Sequence, residues 1–391
     1  MPLPPVPTFL FCIVAFLLQY VRTLQAAAHA GGFRIPPPFP LNAILLFIRH
    51  LATILEILDC SPHVLIRRYY PRVGALNINS RVWNALAQRP EDFWLATGET
   101  PHSLLRIVNR VRNDIVRRVR NPWRIRNRAR QTRPNTLCVH DRVLMLFIWL
   151  RQYSTLESLA VRFGVGWPSY VCDNIYLILP ILHEHYVDRY VSWPSEREWN
   201  AQRNRHHQFP NVVGAIDAFA VQINRPQGPQ QRLYYRRDRG FHFLNSHVIV
   251  DNDGYFRFSR HGFLGHSTDA ATYGRLPQVG YNHQLNIPQR NTFILADGGY
   301  PSRYPLLTPF RRIMGRYNAL QAQANRAHRH IRVRIEHRIG DVRIYRSVPG
   351  RHGRFRQRRF LSPLVTDVVI ALTNRRRHLI ARMREMLIDS L

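Results

Sequence analysis

A chain of 391 residues, 45% of them hydrophobic, is long enough for two or three cores and too apolar for a disordered tail protein. Its 56 basic residues against 24 acidic ones give a formal net charge of +32. Metabolic enzymes for small anions do not need such a field, which points instead to a polyanion, nucleic acid first. Every basic residue is Arg. That choice suits bidentate phosphate and guanine contacts, or reflects the base composition of the gene. Cys12, Cys60, Cys138 and Cys172 form no CxxC pair, so they suggest neither a zinc finger nor a disulfide scaffold, consistent with a reducing compartment such as the nucleus or cytosol.

In chain order, residues 1–90 are apolar and proline-studded, with no nameable chemistry. The run Phe9–Leu18 is shorter than the roughly 20 residues a membrane span wants. No basic residue precedes Arg22, as a signal peptide would require. A signal or anchor, a buried helix, and sequence added upstream by a wrong start codon are the readings of this run, and a membrane partner is not expected. Residues 91–195 read as helical. Leu104, Val108, Val111, Ile115 and Val119 recur at spacings of three and four, behind Thr100 and Ser103 as N-cap candidates. Asn121–Asn135 reads as a basic loop. Leu156, Leu159, Ala160 and Phe163, a turn at Gly164–Gly166 and a second helix over Trp167–Ile178 predict a helix-turn-helix. That second helix would present Trp167, Ser169, Tyr170 and Asn174 to DNA, although an ordinary helical hairpin gives the same pattern. WPSEREW (Trp193–Trp199) reads as a linker. From 209 to 375 short apolar runs alternate with turns, and helices are expected at 319–346 and 363–388, which predicts an α/β unit around a mixed sheet. Residues 376–391 complete the last helix. The Arg-rich stretches Arg117–Arg130, Arg351–Arg359 and Arg375–Arg377 suit nuclear import or DNA-touching loops equally.

Acidic residues are scarce, so a carboxylate in an apolar strand is informative. Asp217 lies in VVGAIDAFAVQI, with Val213, Ala215, Phe219, Val221 and Ile223 on its own face and an apolar opposite face. Such a strand is buried on both sides, and its carboxylate needs a metal or an Arg. Asp297 follows TFILA and precedes a Gly-rich turn, where α/β sheets bind ligands; capping that turn is the plainer role. Glu336 sits beside the buried stripe Ile331, Ile335, Ile339 and Val342, with Arg332 and Arg343 on its side. The plainer role there is a surface pair with Arg332. Taken together, two strand-borne Asp and one helix-borne Glu can converge on Mg²⁺ or Mn²⁺. Two such ions about 4 Å apart would serve in-line phosphodiester displacement.

WLRQYSTLESLAVRFGVGWPSYV, VSWPSE, VVGAIDAFAVQI, RDRGFHFLNSHVIVDNDGYF, GFLGHSTDA, ILADGGYP, HIRVRIEHRIGDVRIYR and VVIALTN follow one another over residues 90–375. In these blocks the chain resembles PIF/Harbinger-type transposases and the nucleases derived from them. The resemblance implies an RNase H-like mixed sheet flanked by helices, preceded by an all-α region with a helix-turn-helix. It implies a DDE triad at Asp217, Asp297 and Glu336, with Asp269 as an additional metal-site residue and two divalent ions as cofactors. DNA is the implied partner, with Arg332, Arg343, Trp167, Ser169 and Tyr170 as contacts. A Myb-like partner protein, multimers and a nuclear location are also implied. The chain departs from that pattern at Ala218, Phe219 and Ala220, where Gly-Thr-His is usual, at Thr268, where His is usual, and at Gly298, where Ser is common. The expected function is a metal-dependent DNA endonuclease; the alternative is a domesticated transposase that binds DNA without cutting it.

Overall fold

A computed structural model describes residues 81–119, 137–276, 292–312, 316–350 and 353–389. Phe9–Leu18, Asn121–Asn135, Cys12 and Cys60 lie outside them. The helical region comprises α1 (Arg81–Ala87), α2 (Pro90–Thr97), α3 (Pro101–Val119), α4 (Val139–Gln152), α5 (Leu156–Arg162), α6 (Pro168–Tyr190) and α7 (Glu196–Ala201). In α3 the predicted stripe is buried from Leu104 to Ile115, and Thr100 Oγ accepts the Ser103 N–H at 3.0 Å as an N-cap does. The helix α4 is buried continuously from Asp141 to Leu150 and forms the axis of this region.

The helices α5 and α6 form the helix-turn-helix. Gly164, at φ +63°, closes α5: its N–H bonds Val161 O and the next N–H, of Val165, bonds Ala160 O. This is the Schellman pattern, which needs a left-handed residue after the helix. The second helix does not stop at Ile178. It runs through Pro180 to Tyr190, because Ile181, Leu182, Tyr186 and Val187 carry its buried face onward. WPSEREW is not a plain linker either. Ser195 and Glu198 form a reciprocal capping box that starts α7, and Trp199 is fully buried.

The sheet is built from β1 (Val212–Gln222), β2 (Tyr235–Arg236), β3 (Phe241–Asp251), β4 (Phe256–Leu264), β5 (Phe293–Leu295) and β6 (Leu306–Leu307). Its order is β2-β3-β1-β5-β6, with β4 also paired to β3. The β1, β3 and β4 strands run antiparallel, while β5 and β6 are parallel to β1. The helix α8 (Asp269–Tyr273) follows β4; α9 (Ala319–Arg343) and α10 (Leu361–Asp389) close the chain. This is a mixed RNase H-like α/β sheet flanked by helices and preceded by a helical region.

One apolar cluster joins the helical region, one sheet face (Ala215, Phe219, Val221), the Ile331–Ile335–Ile339 stripe of α9 and Val365–Leu372 of α10. A second cluster on the other face gathers Ile216, Ile249, Ile294, Tyr273, Tyr300 and Trp199. Val213 belongs to this second cluster, contrary to the expected alternation. The pairing of β1 with β5 slips between Val212 and Gly214, and such an irregularity inverts the faces before it. A Cβ at Gly214 would lie 2.3 Å from Val250 O, so the close β1–β3 approach there requires glycine. Among the described residues, no helix is long and apolar enough to cross a membrane.

Candidate active site

The register of the parallel pair builds the site. Ala215 pairs with Leu295, so Asp217 lies two residues further along β1 and Asp297 two residues past the end of β5. Two acids 80 positions apart in sequence thus leave the same end of the parallel pair, near enough for the Asp297 charge to act on Asp217.

Asp217 is only 14% exposed. Its Oδ1 accepts the Ala218 N–H at 2.8 Å and its Oδ2 accepts from Arg332 Nη2 at 3.0 Å. Burial pushes its pKa up to about 6. Arg332 and the Ala218 N–H oppose that rise, and the Asp297 charge adds to it. Asp297 caps its own turn, with Oδ1 accepting the Gly299 N–H at 2.8 Å. A Cβ placed on Gly299 would meet Asp297 Oδ1 at 3.1 Å and Asp269 Oδ2 at 3.4 Å. These two carboxylates therefore both approach Gly299.

Asp269 opens α8 and accepts from Asn245 Nδ2 of β3 at 3.1 Å. Burial raises its pKa, and the charge of Asp297 raises it further. Tyr300 belongs to the second apolar cluster, is buried and is hydrogen-bonded to His247 Nδ1 at 2.8 Å. Its phenol pKa is driven well up by burial, then by the charges of Asp269, Asp217 and Asp297. Burial, then His261, pushes His247 down to about 3, so the imidazole is neutral.

Glu336 is the outlying member. Its side chain is 57% exposed, one turn beyond Arg332 on α9, and the Arg332 guanidinium reaches its Oε1 at 3.6 Å. Arg332 thus bridges Asp217 and Glu336, and its Nε is buried without a partner among the described residues. The plainer reading of each acid is realised at once: an Asp–Arg pair, a turn cap and an i,i+4 pair. Arg343 is exposed, lies against Gly350 and senses the Asp217 charge. The donor set is all carboxylate oxygen, which suits Mg²⁺ or Mn²⁺ in chemistry. In arrangement, no three His, Cys, Asp or Glu side chains among the described residues stand grouped for an ion, and Arg332 fills the gap between Asp217 and Glu336.

In the helix-turn-helix, Trp167 is 62% exposed and Ser169 is exposed. Tyr170 is half-buried under the Arg142 guanidinium, 5.1 Å from its ring centre. Asn174 is not presented at all: it is buried and donates to Arg142 O at 2.9 Å. Asn245, His247 and Tyr300 escaped the sequence reading. Only Tyr300 carried a signal there, following the Gly-rich turn after Asp297.

Residues 216–374 match the family model of the DDE superfamily endonuclease, and residues 135–187 match the helix-turn-helix of DDE superfamily endonuclease. No curated protein and no solved structure matches the chain. The two matches, in that order along the chain, support a transposase-like endonuclease of the DDE superfamily, with domains suited to holding and cutting DNA.

Proposed function

We propose that the protein is a metal-dependent DNA endonuclease of the PIF/Harbinger transposase type, acting in the nucleus. The observation that supports this reading is the Ala215–Leu295 register, from which Asp217 and Asp297 both continue toward the same end of the sheet. Asp217, Asp297 and Asp269 would hold divalent ions, with Glu336 joining once Arg332 turns away. Bound there, a pair of such ions would activate a water or 3′-hydroxyl and stabilise the leaving oxygen of the phosphodiester. The chain's own residues do the rest. Asn245 orients the Asp269 carboxylate, and the Gly299 N–H fixes Asp297. Arg332 neutralises Asp217 at rest and is placed to exchange that carboxylate for a DNA phosphate, which guanidinium groups bind at least as well. Arg343, Trp167, Ser169 and Tyr170 would add DNA contacts. A Myb-like partner and self-association belong to the same reading.

Nicking of supercoiled plasmid in Mg²⁺ or Mn²⁺ tests it. Asp297→Asn is expected to lower the rate by about 100-fold or more, since even outer-shell changes at metal sites cost 10–100-fold. Wild-type nicking by that variant contradicts the proposal.

A second reading, a domesticated DNA-binding protein without catalysis, is favoured by the Arg332 bridge and by Ala218, Phe219 and Ala220 after Asp217. It predicts salt-sensitive DNA binding with no nicking in either metal.

A further inference from the structure

Of the chain between Asp297 and Glu336, residues 298–335 contain eight Arg and no acidic residue. Interleaved with them are large aromatic side chains that face solvent: Tyr304 at 45%, Phe310 at 53% and Tyr317 at 39% exposure. Isolated exposed aromatics need no explanation, but several within one segment beside a candidate site do.

This segment is fixed to the end of β5 that leads into Asp297. Leu307 of β6 pairs with Leu295 of β5, and Ala296 N–H bonds Leu307 O at 2.9 Å. Phe310, three residues past Leu307, thus leaves the same end of the sheet as Asp297, two residues past Leu295. Ser302 and Thr308 hydroxyls bond each other and tie the turn after Asp297 to the start of the aromatic segment. Phe310 itself is clamped at its backbone. Its N–H donates to Asn325 Oδ1 at 2.8 Å and its carbonyl accepts from Asn325 Nδ2 at 3.0 Å. The Arg312 guanidinium lies 5.5 Å from the Tyr317 ring centre, which places these two side chains on one patch.

We propose that Phe310 and Tyr317, with Arg311, Arg312 and Arg316, form a stacking platform for unpaired DNA bases next to the scissile phosphate. The proposal rests on the endonuclease reading and names which form of DNA the site prefers. Aromatic faces stack on any base that is out of the helix, and neighbouring Arg track the backbone. Bases paired within a duplex are already stacked and offer those rings nothing, whereas the Arg attract either form. Because the backbone of Phe310 is held in advance, little ordering has to accompany binding.

Binding of fluorescent oligonucleotides to the full chain in EDTA tests this without any catalysis. The probes are a single strand, a blunt duplex and a duplex with single-stranded tails. The double variant Phe310→Ala/Tyr317→Ala is expected to weaken the single strand and the tailed duplex by about 10-fold or more while changing the blunt duplex less than about twofold. Phe310→Trp/Tyr317→Phe is expected to restore the preference. An unchanged profile, or an equal loss on all three probes, overturns the platform alone. A wild-type chain that binds none of the probes overturns the endonuclease reading with it. An unchanged melting temperature shows that the variant is folded, as expected for side chains already in solvent.

Discussion

Asp217 is held in the fold against its own preference. Burial raises its pKa from 3.8 to about 6 despite the Arg332 contact. Between those values the folded protein binds more protons than the unfolded chain, so this group's contribution to stability falls as pH rises through that window and stays unfavourable above it. Asp217→Asn is therefore expected to raise the melting temperature of the metal-free protein at pH 7.5, by roughly 1–2 °C if about 1 kcal/mol is recovered in a chain this long. The gain should vanish near pH 4, and melts across that range check it; a lower melting temperature at pH 7.5 would contradict the account. Such a sacrifice of stability is what the proposed metal site would require of Asp217. The strand VVGAIDAFAVQI showed in sequence that this carboxylate is buried and in need of a cation. It did not show which cation, because Arg332 lies 115 residues away and only the packing of α9 on β1 brings them together. Nor could it place Asn245 or His247, whose roles come from the pairing of β3 against β1.

Among the elements, the connection that leads into α3 is joined to α10 by a buried ionic tie. Glu99 and Arg375 are almost fully buried, with Arg375 Nη1 at 2.8 Å from both Glu99 Oε2 and Ser103 Oγ. Removing one partner leaves the other charged and desolvated, so Glu99→Gln or Arg375→Met should each cost about 3 kcal/mol. Replacing both by apolar residues should cost less than the two single changes added together. Denaturant melts of the three variants decide this; additive losses would show that the tie is not a coupled pair. The same geometry bears on the run Arg375–Arg377, whose first member is inside the molecule. Helices were legible where a long period marked them, as in the Leu104–Ile115 stripe. Strands β2 and β6, two residues each, have no period to read. The continuation of α6 through Pro180 depends on burial that no local pattern announces.

At the scale of the whole molecule, a net charge of +32 coexists with three acids, Asp217, Asp269 and Asp297, whose charges all act on Tyr300. The composition alone pointed to a polyanion, and the acid order Asp–Asp–Glu pointed to a cation between protein and polyanion. Neither contained the arrangement itself: the parallel β1–β5 pairing sends Asp217 and Asp297 toward the same end of the sheet, and the seat of α9 puts Arg332 between Asp217 and Glu336. In the proposed site the last ligand would arrive only when that guanidinium is drawn elsewhere. Calorimetric titration of the metal-free protein with Mn²⁺ tests this most directly. Wild type should bind one or two ions, Asp297→Asn should lose at least about 10-fold in affinity, and Arg332→Gln should bind more tightly than wild type. Equal affinity in all three proteins would contradict the proposed metal centre.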